Sequence, residues 1–170
     1  MKQVIHFLPV VLVTSFIAFC FYRPAGAMDH ENNYQTYSNA RFAYSISYPS
    51  NLLIPQGESD NGDGQKFQSK DGHAIMLVYG SNNVLGQTIK QLYAEASRGG
   101  ASDHPKRSIT YKILKGDWYV ISGNENGRVF YQKTMLRRDA IKTFSIEYGE
   151  AQKGIFNPVT TKIAMSFKAL

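Results

Sequence analysis

WYVISGNENGRVFYQKTMLRRDAIKTFSIEY, residues 118–148, decides the fold. Three runs rich in aromatic and β-branched residues, Trp118 to Ser122, Arg128 to Leu136 and Ala140 to Tyr148, are cut by two short polar breaks, Asn124 to Gly127 and Arg137 to Asp139. Runs of this kind read as strands. A parallel pair would need a crossover of a dozen or more residues, whereas breaks this short join antiparallel neighbours. Ile109 to Leu114, set off by the turn signal Gly116-Asp117, adds a fourth run. The stretch is an antiparallel meander.

Upstream the spacing changes to that of a helix. Thr88 is a cap with Gln91 three residues on, Ile89, Leu92, Tyr93 and Ala96 share one face, and Gly99-Gly100 is the stop. That apolar stripe needs a sheet beneath it. Before it, Lys66 to Ser69 and Ala74 to Gly80 flank Asp71-Gly72, a pair that favours a two-residue hairpin turn. Gly57 to Gly64 is a polar loop whose Gly, Asn and Asp residues tolerate positive φ, and Leu52 to Pro55 supplies a short edge piece. Phe42, Tyr44, Ile46 and Tyr48 alternate with small residues as a half-buried strand that Pro49 ends. Downstream, Asn157 as cap and Pro158 in the first turn open a last helix with Val159, Ile163 and Phe167 on one face. The expected class is α+β, an antiparallel β-sheet flanked by helices as an α/β/α sandwich, in a single domain over residues 41–170.

The N-terminus speaks of location. Lys2 begins a short positive region, Val4 to Tyr22 is apolar, and Ala25-Gly26-Ala27 supplies the small residues that signal peptidase accepts, so residues 1–27 read as an export signal cut between Ala27 and Met28. The product is expected in the periplasm or secreted. Residues 28–40 are polar with little periodicity and read as a flexible leader. Cys20, the one cysteine, lies inside the signal, so the mature chain is expected without disulfide, thiol nucleophile or thiolate ligand. Loss of Lys2 and Arg23 leaves 17 basic and 13 acidic residues on 143, a net charge of +4. Without clustered Lys and Arg among exposed aromatics, nucleic acid is not an expected partner.

The succession of strand, hairpin, helix, meander and last helix, with Tyr-x-x-x-Tyr-Pro at 44–49, Pro158 and Ser166-Phe167-Lys168, resembles the PsbP-like superfamily over about residues 40–168. Glu58 to Gln65 with Phe67 and Asp71-Gly72 looks like the signature of an exported bacterial branch of it. The resemblance implies an antiparallel sheet between helices and roles in binding or assembly. Its two well-known functions, photosystem docking and Ran binding, do not carry over: no docking leader is recognisable here, and an exported chain does not meet Ran.

Motifs for chemistry are scarce. There is no nucleophile elbow and no Walker sequence, and Gly62-x-Gly64 lacks the third glycine and opens no helix. His30, His73 and His104 are scattered, without the close spacing that metal ligation by imidazole needs. The strands carry few acids; Glu147 is the clearest, and Asp117 and Asp139 sit in turns. Glu58, Asp60 and Asp63 offer hard oxygens to Ca²⁺, yet Gly62 falls where the calcium-loop pattern wants a ligand. No cofactor is implied. The reading is of a non-catalytic accessory or binding protein of the bacterial cell envelope, docking to a protein partner. Asp60, Asn61, Asp63, Asp71 and His73 form the first candidate surface, and Trp118, Arg128 and Tyr131 the second. A Ca²⁺-responsive loop and an envelope hydrolase are the alternatives.

Overall fold

The computed structural model describes residues 33–99 and 106–170; the export signal, its cleavage point, His30 and His104 lie outside them. The meander forms as expected, with each strand slightly longer: β6 (Arg107–Lys115), β7 (Trp118–Glu125), β8 (Arg128–Arg137) and β9 (Ala140–Gly149) pair antiparallel in sequence order. Between β8 and β9, Arg138 and Asp139 both adopt positive φ, 51° and 58°. Two left-handed residues give the hairpin turn whose twist matches the strands, but neither is the glycine that would adopt it without steric cost.

A second ribbon precedes the meander: β3 (Ile54–Glu58), β4 (Gly64–Gln68) and β5 (Ala74–Asn82). β5 pairs with β9 from Ala74↔Tyr148 to Asn82↔Ala140, which joins both ribbons in one seven-stranded sheet ordered β3-β4-β5-β9-β8-β7-β6. The β4–β5 turn is longer than the two residues expected. Gly72, at φ 72°, donates its N–H to the Ser69 carbonyl at 2.9 Å, and Gln68↔Ile75 is the nearest strand pair. Ser69 closes the turn with its own side chain, its Oγ accepting from the Ala74 N–H at 2.8 Å, so Asp71-Gly72 sits inside a wider loop.

The first strand corrects the leader reading. Tyr34–Asn39 is β1, paired over its whole length with β2 (Tyr44–Pro49), and the two-residue β10 (Lys168–Ala169) closes a three-stranded sheet on the other edge of β2. Its polar sequence conceals it because most of its side chains face outward, while the backbone ladder and the Tyr34 and Tyr37 rings supply the stability.

Two helices lie on opposite faces of the large sheet. α1 (Ile89–Ala96) starts at the Thr88–Gln91 capping box, and its stripe Ile89, Leu92, Tyr93 and Ala96 covers Tyr119, Ile121 and Phe130. α2 (Lys153–Ser166) begins four residues before the expected Asn157 cap, with Pro158 in its interior. Proline there removes one backbone donor, and burial of Phe156, Val159, Ile163 and Ala164 against the sheet outweighs that loss. The main core lies on the α2 side, where Phe144 and Ile146 of β9, Met76 and Val78 of β5, and Phe67 meet Tyr44 and Ile46 of the small sheet. Fully burying each such side chain contributes about 1.5–3 kcal/mol. The architecture is the expected α+β class, with two antiparallel sheets and strands in the majority.

Candidate functional site

The two loops read as one surface stand apart. Asp60, Asn61 and Asp63 precede β4, while Asp71 and His73 follow it, and five strand residues separate them by ~16 Å. In the first loop Asp60 is exposed, while the Asp63 carboxyl is held by its own neighbours. Asp63 accepts from the Ser59 hydroxyl and, at 2.9 Å, from the Asn61 amide; these bonds hold its carboxyl below the usual carboxylate range. Its backbone N–H is bonded to Ser59 Oγ and Asn61 Oδ1, both at 3.1 Å. The small sheet then grips the same loop: Asn39 donates to the Gly62 carbonyl at 3.0 Å, the Tyr44 hydroxyl to the Asp63 carbonyl at 3.0 Å, Arg41 to the Asn61 carbonyl, and the Tyr37 hydroxyl to Glu58 at 2.7 Å. Burial raises the Tyr44 phenol well above its ordinary value, so it stays a donor. The loop is a clasp between the two sheets. Its Asp63 oxygens are already occupied, and among the described residues no His, Cys, Asp or Glu group has the geometry of a metal site.

Asp71 is engaged in the same way. The Ser69 hydroxyl and the His73 N–H lower its pKa, and Gln152 donates to its second oxygen at 2.9 Å, tying the β4–β5 turn to the segment before α2. Arg128 joins this end of the sheet rather than the aromatic surface assigned to it. Its guanidinium donates to the His73 carbonyl at 2.7 Å and lies 3.8 Å from Glu147. Asp71, His73 and Arg128 are thus brought together as a structural tie.

Trp118 and Tyr131 share the α2-side face. Strand alternation puts Trp118 and Val120 of β7 beside Tyr131 and Lys133 of β8, and a cleft of about 310 Å³ runs from them past Tyr111 and Ile113 of β6 to Thr161 and Met165 of α2. Burial pushes the Tyr131 phenol up to about 12, and its ring packs 5.6 Å from Phe144. The outer wall is open: Tyr111 is 53% and Met165 73% exposed.

On the other side of Trp118 lies a cavity of about 580 Å³ that sequence reading missed. Lys133 and Lys142 are among its lining residues. Lys133 shares its face of β8 with Val129, Tyr131 and Met135; Lys142 shares its face of β9 with Phe144, Ile146 and Tyr148. The signal was present, since in both strands a lysine falls where the period of two calls for an apolar residue. Lys133 donates to the Ala164 and Phe167 carbonyls at the end of α2, at 2.6 and 3.3 Å, with Trp118 and Phe167 rings beside its ammonium. Burial lowers its pKa. Lys142 is 3% exposed and donates to the Arg137 carbonyl at 3.2 Å; burial first, then the Arg138 and Arg137 charges, lowers its pKa too.

No family model and no curated protein matches the chain. Among solved structures, that of cyanobacterial PsbP (CyanoP) from Synechocystis sp. PCC 6803 superposes with a TM-score of 0.62 over 87% of this chain and 100% of that one, at 16% identity. A protein of Bacteroides thetaiotaomicron VPI-5482 is similar over 80% of this chain and 48% of its own, at 13% identity and a TM-score of 0.47. The fold is PsbP-like.

Proposed function

We propose that the protein is exported and serves in the cell envelope as a non-catalytic accessory module, docking to a protein partner through the cleft between α2 and β6–β8. The uncovered sheet face carries this reading. α2 packs over β2, β9 and β8 and leaves the same face of β6 open, so that Tyr111, Ile113 and Met165 stand exposed around the half-buried Trp118 and Tyr131. Large aromatic side chains at the centre of an open apolar cleft are the composition of an interaction hot spot. The acids give further support. Asp63, Asp71 and Glu147 tie turns and strands, and Asp117 pairs with Arg137, so none is held ready for proton transfer. Among the described residues no helix is long and apolar enough to cross a membrane, in keeping with an exported product released by cleavage.

Affinity purification from the envelope fraction is the test. Tyr111→Ser with Met165→Ser changes two exposed residues and is expected to cut partner recovery at least about fivefold, an effect equivalent to ~1 kcal/mol. Equal recovery with the double variant would overturn the assignment of the cleft.

A further inference from the structure

Five basic side chains, Lys133, Arg137, Arg138, Lys142 and Lys168, line the 580 Å³ cavity beside Trp118, against the single acidic side chain of Asp117. Asp117 is committed to Arg137. Lys133 and Lys142 stand diagonally on neighbouring strands, since Lys133 is opposite Phe144 and Met135 opposite Lys142. Among the described residues neither ammonium has a carboxylate partner: Lys133 donates to the Ala164 and Phe167 carbonyls and Lys142 to the Arg137 carbonyl, so neutral acceptors alone hold them and the cavity keeps a surplus of positive charge. Apolar side chains complete the lining: Trp118 and Met135 stand in one cross-strand row with Lys142, and Phe167 comes from the end of α2. The volume is that of a small-molecule site. Arg138, whose positive φ belongs to the β8–β9 hairpin turn, stands in the lining of the cavity.

We propose that this cavity binds a small organic phosphate, its dianionic group against Lys142 and Arg138 and its apolar body against Trp118 and Phe167. Several converging cations match a dianion better than a single carboxylate, and the aromatic wall selects against a bare inorganic ion. The assignment goes beyond the docking reading, with which it shares Trp118 and Lys133 alone; partner recovery tests one and ligand titration the other.

Trp118 is the only tryptophan of the chain, so its fluorescence reports the cavity directly. Titration with phenyl phosphate is expected to give a saturable change, with inorganic phosphate and phenol each at least tenfold weaker. Lys142→Met, which keeps the side-chain volume, should weaken phenyl phosphate at least tenfold. Arg138→Gly should weaken it while raising the thermal midpoint, because glycine relieves the positive φ; binding and stability moving in opposite directions is a result no purely structural role for Arg138 would give. A change that does not saturate, phenol binding as tightly as phenyl phosphate, inorganic phosphate doing so, or unchanged binding in the folded Arg138→Gly variant would each overturn the proposal.

Discussion

The loop at 57–64 and the cavity beside Trp118 are the two most heavily charged regions described, and they treat charge in opposite ways. In the loop, Asp63 meets a hydroxyl, an amide and the nearby Arg41, and the small sheet grips the surrounding carbonyls. In the cavity, five basic side chains meet one acidic side chain, and two of them stand in rows that are otherwise apolar. The density of charge along a chain does not mark a binding site. What marks one is a surplus of one sign of charge held without an opposite charge, because a satisfied carboxylate has already spent its oxygens on structure.

Substitutions should separate the two regions by sign. Asn39→Ala should have the largest effect. Asn39 is 3% exposed, donates to Gly62 and to the Tyr37 hydroxyl, and accepts from the Phe42 N–H, so its loss opens the clasp and leaves buried groups unpaired. A cost of about 2–3 kcal/mol is expected, read as a lower urea midpoint at unchanged m-value; an unmoved midpoint would break the view of the loop as a structural joint. Lys142→Met comes next, with the opposite sign. Replacing a buried, acid-free ammonium by an apolar side chain of similar volume should stabilise the empty protein by ~1 kcal/mol. A clear loss would mean that Lys142 is compensated as the loop is.

The smallest effect belongs to pH. The Asp63 pKa is lowered in the fold, so its contribution is present above the unfolded value of about 4 and is lost as pH falls through the folded one. Asp63→Asn should therefore flatten the acid limb of the stability profile below about pH 4, and at neutral pH cost no more than ~0.5 kcal/mol, because the group is near the surface. An unaltered limb would show that the carboxylate is replaceable within the clasp.

Much of the fold was written locally. The four runs from Ile109 to Tyr148 and the Thr88–Gln91 box lie close to where their residues place them, because period-two alternation and a reciprocal cap are short-range signals. β1 was hidden for the converse reason: what makes Tyr34–Asn39 a strand is the ladder offered by β2, and its own side chains are mostly polar. Helix α2 was read four residues short because Pro158 carries a stop and start signal that tertiary burial of Phe156 overrode. The candidate surfaces fared unevenly. Trp118 and Tyr131 do share a cleft, but Arg128 belongs with Asp71 and His73, since strand order and not residue type decides which side chains meet. The basic cavity needed the pairing of β8 with β9, which brings Lys133 and Lys142 onto adjacent rows from opposite sides of a turn.

The seam between β5 and β9 has a kinetic corollary. Its partners lie between 58 and 74 positions apart along the chain, whereas every other junction in the large sheet is a hairpin between consecutive strands. Each ribbon zips up from a nearby turn, and neither can complete the central layer until the last strand of the meander reaches Ala74 to Asn82. Closing that long segment is the step with the greatest entropic barrier. Substitutions at Met76 or Phe144, which face the main core from the two sides of the seam, therefore bear on how fast the molecule assembles as well as on how firmly it holds.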